Sequence, residues 1–358
     1  MSIINKRKVA IIGTNGLPAN YGGFETLVSN IHQTIAETHE VTIYCSKKSP
    51  RVSRYIGRTR LIRIPLSANG WQSFLYDFIS ITHSLFYADT LIILGLSGGL
   101  ALPLLHLFPR KVLYNPGGVE TSKVRGLKLT GKLESYIKTI FDQGFFRFSD
   151  KIILDNEAFF DSLALYTDKL RLIEYGGEEI STENIIKWDC PFDSYDISVS
   201  RAQEDMNLHL VLEAYSKCAR NLVIISNWTT SDYGQDLWSK YYGKFVNIFL
   251  HDAVYDKAKL NAMRMGASLY VHSHMLCGTA PSLVEAMSLH LGIICFDVPT
   301  NRYTTEEKAI YFNSTEDLVL KLSGIEDTRI ELIKESMKEI ADRRYSWKLI
   351  AEKYLELI

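Results

Sequence analysis

The decapeptide Gly278-Thr279-Ala280-Pro281-Ser282-Leu283-Val284-Glu285-Ala286-Met287 lies between two short apolar runs, residues 267–271 and 292–296. Short apolar runs bounded by small residues read as buried strands, and the segment between them suits a helix. The order is strand, tight loop, helix, strand. Such a crossover returns the chain parallel to itself and requires a sheet with helical cover.

The same punctuation recurs along the chain. Strands are predicted at residues 9–13, 40–45, 60–64, 91–95, 111–115 and 151–155, with helices over 24–38, 71–87 and 127–148 between them. A second series of strands is predicted at 197–200, 222–225, 247–250, 269–271 and 293–296. After a further apolar run at 309–312, the chain is expected to end in two helices. Regular alternation of this kind indicates the α/β class with doubly wound sheets. A chain of 358 residues is long for one core and comfortable for two. The expectation is two Rossmann-like domains facing each other across a cleft, residues 1–178 and 190–345. A linker within 174–191 joins them, and the final helix, 346–358, is expected to pack back on the first domain. Ligands in such folds bind outside the carboxyl ends of the strands.

Composition narrows the partners. The chain is 46% hydrophobic and 23% charged with a net charge of −1, which gives no support to a nucleic-acid partner. Its five cysteines are scattered without a close pair, as suits a reducing cytoplasm. The polar, basic start runs straight into a strand, with no signal-peptide pattern. Residues 91–108 are nearly long enough to span a bilayer, but Gly95, Gly98, Gly99 and Pro103 punctuate them as strand, turn and helix. A soluble or peripheral protein is expected.

Several residues stand where such a fold binds ligands. The small side chains of Gly278, Thr279 and Ala280 let backbone N–H groups meet an anion, such as a nucleotide diphosphate, where a helix begins. Glu285, one turn into that helix, is within reach of a ribose. The spacing Ser282-x-x-Glu285 is also that of a capping box, in which the glutamate serves the backbone. In the first domain, the loop Gly13-Thr14-Asn15-Gly16-Leu17-Pro18 through Tyr21-Gly22-Gly23-Phe24-Glu25 is not Gly-x-Gly-x-x-Gly. The strand at 40–45 ends without an acid, which weighs against a dinucleotide dehydrogenase. Gly22-Gly23 brings the backbone close to a phosphate or sugar, or merely connects strand to helix.

Arg201, at the end of the strand at 197–200, is suited to grip a diphosphate and stabilise leaving-group charge; a solvated loop arginine is the plain alternative. In the segment from Asn301 and Arg302 to Lys308, Thr304 or Thr305 is expected to cap a helix. Glu306 or Glu307 would then accept sugar hydroxyls or answer the helix dipole. Glu120, in Asn115-Pro116-Gly117-Gly118-Val119-Glu120, is a candidate base or acceptor-orienting group. Lys123, Arg125, Lys128, Lys132 and Lys138, interleaved with leucines, suit an anionic membrane, an acceptor pyrophosphate or a solvated face. His272 and His274 are expected on opposite faces of an extended chain. With Cys277 they lack a fourth ligand, and no Asp-x-Asp element is present, so no metal is expected.

At these residues the chain resembles bacterial retaining glycosyltransferases of family four, with the two-domain GT-B fold. More narrowly it resembles the rhamnosyltransferase-type branch that builds capsule, O-antigen and cell-wall polysaccharides. The resemblance rests on the loop from Gly13 to Thr26, on Gly117-Gly118-Val119-Glu120, on Asp155-Asn156-Glu157, on residues 278–287, and on Phe296-Asp297-Val298 through Ala309-Ile310-Tyr311-Phe312. It implies metal-independent transfer of a sugar, with dTDP-L-rhamnose as the suggested donor, from a nucleoside diphosphate to a lipid-linked saccharide at the inner face of the cell membrane. No cofactor beyond the nucleotide sugar is implied.

Catalysis would then fall to Arg201 and Glu120. Donor binding would fall to Gly22, Gly23, Gly278, Thr279, Ala280, Ser282, Glu285, Arg302, Thr305 and Glu306, and acceptor binding to Asn15, Tyr21, Glu120 and Lys123. The chain departs from the family pattern at Cys277, which takes the first of two glutamate positions, and after Arg201, where no lysine follows. Neutralising the diphosphate then rests on Arg201, loop amides and Arg302 or Lys308. Thr121 and Lys123 stand where the family has tryptophan and arginine. A nucleotide-sugar epimerase and a non-catalytic sugar-nucleotide-binding partner remain as alternatives.

Overall fold

The computed structural model describes residues 6–19, 22–117, 129–177 and 188–358, with backbone alone for 129–138. The chain forms two compact units, Met1–Glu174 with Trp347–Ile358, and Tyr175–Ser346.

The first unit runs β1 (Lys8–Ile12), α1 (Gly23–Thr38), β2 (Glu40–Cys45), β3 (Tyr55–Ile56), β4 (Thr59–Arg63), α2 (Gln72–Leu85), β5 (Thr90–Leu94), α3 (Leu102–Leu107), β6 (Lys111–Asn115), α4 (Leu129–Phe148), β7 (Lys151–Leu154) and β8 (Leu170–Leu172). Its sheet has the order β3-β4-β2-β1-β5-β6-β7-β8 and is parallel except for the β3–β4 pair. Continuous apolar runs make these strands, because helices cover both faces: every residue of β5, Thr-Leu-Ile-Ile-Leu, is buried. Residues 91–108 resolve into β5, a short 3₁₀ turn and α3. No described helix is long and apolar enough to cross a membrane.

The second unit runs β9 (Asp196–Val199), α5 (Leu208–Tyr215), β10 (Leu222–Ser226), α6 (Asp232–Tyr241), β11 (Ile248–Asp252), α7 (Lys257–Met265), β12 (Leu269–His272), α8 (Pro281–Ser288), β13 (Gly292–Phe296), α9 (Pro299–Thr304), β14 (Ile310–Phe312), α10 (Thr315–Gly324) and α11 (Asp327–Arg344). Its six strands are all parallel, in the order β11-β10-β9-β12-β13-β14. Side chains fix several helix starts: Ser231, Asp256 and Ser314 each accept the backbone N–H three residues on. At the start of β9, buried Asp196 accepts from Arg220 at 2.7 Å through each of its oxygens and from Tyr215 Oη at 2.7 Å. A carboxylate that accepts three hydrogen bonds from two side chains anchors that strand without an orphaned charge.

A final helix, α12 (Trp347–Glu356), belongs to the first unit and packs on α1. Asn115 Nδ2 donates to Tyr354 Oη at 2.8 Å, and Lys353 pairs with Glu174 at 2.6 Å. Three helices therefore follow β14, where two are expected from the sequence. The chain breaks between Gly324 and Asp327, dividing α10 from α11. The expected linker lies partly outside the described residues, at 178–187.

Candidate functional site

In the second sheet, β9 and β12 are neighbours, yet the chain leaves them in opposite directions, toward β10 on one side and β13 on the other. This reversal is the switch point of a doubly wound sheet, where the loops diverge and leave a crevice outside the strand ends. Arg201 follows β9 there. Its backbone is fixed: Ala202 N–H donates to Asn227 Oδ1 at 2.9 Å, Gln203 N–H to Arg201 O at 3.0 Å, and Tyr270 Oη to Val199 O at 3.0 Å. The guanidinium itself is exposed and has no hydrogen-bond or ion-pair partner among the described residues.

The end of β12 brings a second group to the same place. The rings of His272 and His274 have centroids 4.0 Å apart, so the two side chains meet instead of pointing to opposite faces. Residues two apart in an extended chain share a face, and the expectation had the period wrong. His272 is fully buried and neither ring nitrogen has a partner among the described residues. His274 Nδ1 lies 3.5 Å from Cys277 Sγ, and Asn301 Nδ2 donates to the backbone carbonyl of His274 at 3.1 Å. Burial, and then the charge of Arg201, push the His274 pKa down to about 3, and burial holds His272 well below the ordinary histidine range. Both rings are neutral. No metal-holding group of three or more His, Cys, Asp or Glu occurs among the described residues.

The loop of residues 278–280 leads into α8. Thr279 and Ala280 are buried, so they offer backbone and not side chains. The N–H groups of Leu283 and Val284 both turn to Ala280 O, and Pro281 has none. The amides of Gly278 and Ser282 are left without partners among the described residues. Ser282 lies inside the helix, beyond the Ala280 cap, and its hydroxyl bonds Tyr270, so the capping box does not form. Glu285 instead reaches Arg264, with its Oε2 at 2.7 Å from Nη2; that guanidinium is 2% exposed and its Nε has no partner among the described residues. The other oxygen of Glu285, on a side chain 23% exposed, has no protein partner among the described residues.

Three assigned donor residues are otherwise engaged. Arg302 makes a two-pronged pair with Asp297 at 2.5 and 2.8 Å and lies over the Tyr311 ring at 4.3 Å. It lines a cavity of about 680 Å³ beside β14 with Asp317 and Lys321. Thr305 is fully buried and its hydroxyl bonds Asn301 O at 2.8 Å and Tyr311 Oη at 2.5 Å, which contradicts a ligand contact for it. Pro299 starts α9 upstream, so Thr304 and Thr305 end a helix instead of capping one. Glu306 and Glu307 follow with φ of 48° and 57°, a left-handed turn and not a first helical turn. Glu306 is paired with Arg343 at 2.7 Å and Arg344 at 3.0 Å.

In the first unit the switch point lies between β1 and β5, and the loop after β1 covers it. Glu25 is buried in the first turn of α1; its Oε1 accepts from Asn15 N at 2.8 Å, Asn15 Nδ2 at 3.0 Å and Thr14 Oγ1 at 3.2 Å. Asn15 Oδ1 accepts in turn from Ser46 Oγ at 3.0 Å. The side-chain amide of Asn15 is thus a brace for the loop. Gly22 has φ 128°, and a Cβ there would collide with Glu25 Oε2; nothing lies within 4 Å of a Cβ at Gly23. The loop is rigid at Gly22 and open at Gly23. Tyr21, Glu120 and Lys123, with most of the basic run, lie outside the described residues. A cavity of about 350 Å³ in this unit is at the opposite, amino ends of the strands, lined by Lys6, Arg7, Lys8 and Lys111.

Arg264, Asn301, Arg343 and Arg344 were not anticipated. Each acts on a partner far along the chain, and no local pattern marks it.

A protein-family model described as a domain of unknown function (DUF1972) matches residues 6–178. No curated protein sequence matches the chain. Among solved structures, a sucrose-phosphate synthase from Thermosynechococcus elongatus is similar with a TM-score of 0.80 at 14% identity, over 98% of each chain. HepE from Anabaena, solved with UDP, aligns over 98% of each chain with a TM-score of 0.70 at 12% identity. WaaG, a glycosyltransferase of lipopolysaccharide biosynthesis, aligns over 98% of this chain and 99% of its own, with a TM-score of 0.70 at 14% identity. The fold is that of these GT-B glycosyltransferases, with two Rossmann-like α/β units.

Proposed function

We propose that this protein is a glycosyltransferase that moves a sugar from a nucleoside diphosphate donor, with retention of configuration, to a saccharide acceptor. The observation that carries the reading is the guanidinium of Arg201, without a partner among the described residues, after β9 at the switch point of the second sheet, where the neighbouring strand β12 leads to the open amides of Gly278 and Ser282. An exposed guanidinium and fixed amide dipoles suit a leaving diphosphate, whose charge grows as the glycosidic bond breaks. Glu285, oriented by buried Arg264, keeps one oxygen for a ribose hydroxyl. The likeness to HepE, solved with UDP, and to a trehalose-6-phosphate enzyme bound with UDP-2-fluoro glucose supports a nucleotide-sugar donor. Neither a metal nor a cofactor enters the reading.

The finer assignment rests on sequence motifs: L-rhamnose as the sugar, a lipid-linked acceptor, and a place at the cytoplasmic face of the membrane. An exposed apolar stripe on the first unit supports the last of these. Trp71, Leu75, Ile79 and Phe86 line α2 and its ends, Phe86 meets Phe108 at 6.5 Å, and Arg110 and Arg147 stand on the same unit.

The test is to incubate the purified protein with a panel of sugar nucleotides including dTDP-L-rhamnose, with and without lipid-pyrophosphate saccharides, and identify products by mass spectrometry. Transfer to an acceptor, reduced about a hundredfold or more by Arg201→Ala at unchanged melting temperature, is expected. A converted donor without any acceptor would mean an epimerase instead. Nucleotide binding without turnover would mean a non-catalytic partner.

A further inference from the structure

The paired imidazoles at the end of β12 are not explained by folding. His272 buries two ring nitrogens that bond nothing among the described residues, and an orphaned buried polar atom costs about 1–3 kcal/mol. An apolar side chain would fill that volume without the cost. His272 is closed to solvent, and its ring lies between those of Tyr270, 6.0 Å away, and His274, 4.0 Å away, which it backs more closely.

His274 is 8% exposed, and its Nε2 has no partner among the described residues, while Nδ1 faces the Cys277 thiol at 3.5 Å. If the thiol proton is given to Nδ1, the one ring proton sits on Nε2. Asn301 holds the His274 carbonyl with one amide hydrogen and the end of β13, Phe296 O, with the other, so the ring's base is fixed. Arg201 is close enough for its charge to act on the ring and disfavour the imidazolium.

The geometry points to His274 as a binding residue for the diphosphate of the nucleotide sugar. Its neutral Nε2–H donates to a phosphate oxygen beside Arg201, and Cys277 acts as the positioning residue that sets its tautomer. This rests on the reading that the second unit binds a nucleoside diphosphate. The arrangement answers the two sequence departures together. No lysine follows Arg201, and a thiol stands where a glutamate is expected. A neutral donor supplies a hydrogen bond without adding charge beside Arg201, whose guanidinium is without a partner among the described residues.

The experiment is calorimetric titration of the full chain with UDP, dTDP, GDP and ADP, and then of variants with whichever binds, using the matching monophosphate as control. His274→Ala is expected to weaken the diphosphate about ten- to a hundredfold and the monophosphate far less. His274→Gln, whose amide nitrogen falls near the Nε2 position, is expected to stay within about threefold of wild type, and Cys277→Ala to lie between. Should His274→Ala fold poorly, His274→Gln against His274→Asn decides, because asparagine places its amide nearer Nδ1. Diphosphate affinity unchanged in His274→Ala, or equal loss for mono- and diphosphate, would overturn the inference while leaving the donor reading intact. A wild-type chain that binds none of the four nucleotides ends both.

Discussion

Asp77 shows how one side chain ties stability to pH. It is 1% exposed on α2, accepts a hydrogen bond from Ser97 Oγ, and leaves Oδ1 buried without a partner among the described residues. Burial, only partly offset by the Ser97 bond, raises its pKa from 3.8 to about 7. Between those values the folded chain keeps a proton that the unfolded chain has released. Stability therefore falls as pH rises through that window, and levels off above about 7. Asp77→Asn removes the titration. Relative to wild type, the variant should gain on the order of a few kcal/mol between about pH 4 and pH 8, read from urea unfolding at each pH. A constant difference between the two proteins across that range would show that Asp77 does not titrate in the native state. Glu285 illustrates the opposite design: its pair with buried Arg264 makes it structural as well as a ligand candidate, so removing it leaves a buried charge unanswered. Arg201, which holds nothing in place, is the cleaner probe of binding.

Among the elements, the loop from β1 to α1 makes the sharpest prediction. Gly22→Ala would push Glu25 off Thr14 and Asn15 and strain a φ of 128°, costing about 1–3 kcal/mol. Gly23→Ala, with open space around it, should leave the melting temperature unchanged. Similar melting curves for the two variants would mean that the loop is not braced as described. The strands of both sheets were legible because a parallel strand covered on two faces is written as an unbroken apolar run; β2 and β6 match residues 40–45 and 111–115. Strands β3, β8 and β14 were not, since two or three residues carry no period. The break between α10 and α11 escaped because one glycine is a weak stop inside a helical pattern. At the site, Arg201 and the α8 loop were marked by their place after a strand. The Thr304-Thr305 reading failed because Pro299, five residues earlier, had already begun the helix. Pairs such as Arg264 with Glu285 depend on which helices the sheet order brings together, and nothing local announces that.

On the scale of the whole chain, α12 matters out of proportion to its length. With the two residues that follow it, it buries Trp347, Ile350, Tyr354 and Ile358 in the first unit, and Arg7 and Lys111 donate to Ile358 O at 3.3 and 3.4 Å. Burying four large side chains is worth on the order of 5–10 kcal/mol, comparable with the net stability of a domain. A chain ending at Ser346 should lose hydrogen-exchange protection throughout β1, β5 and β6 while β9, β10 and β12 keep theirs. Undiminished protection in the first unit would show that it folds without α12.

The polypeptide passes between the units twice, after Glu174 and again after Ser346. During translation, the half made first must therefore wait, incomplete at α1, until residues 347–358 have emerged from the ribosome. The half made second can finish as soon as its own last helix is clear. Maturation runs against the direction of synthesis, and the nascent amino-terminal half is the part that a chaperone would have to shelter.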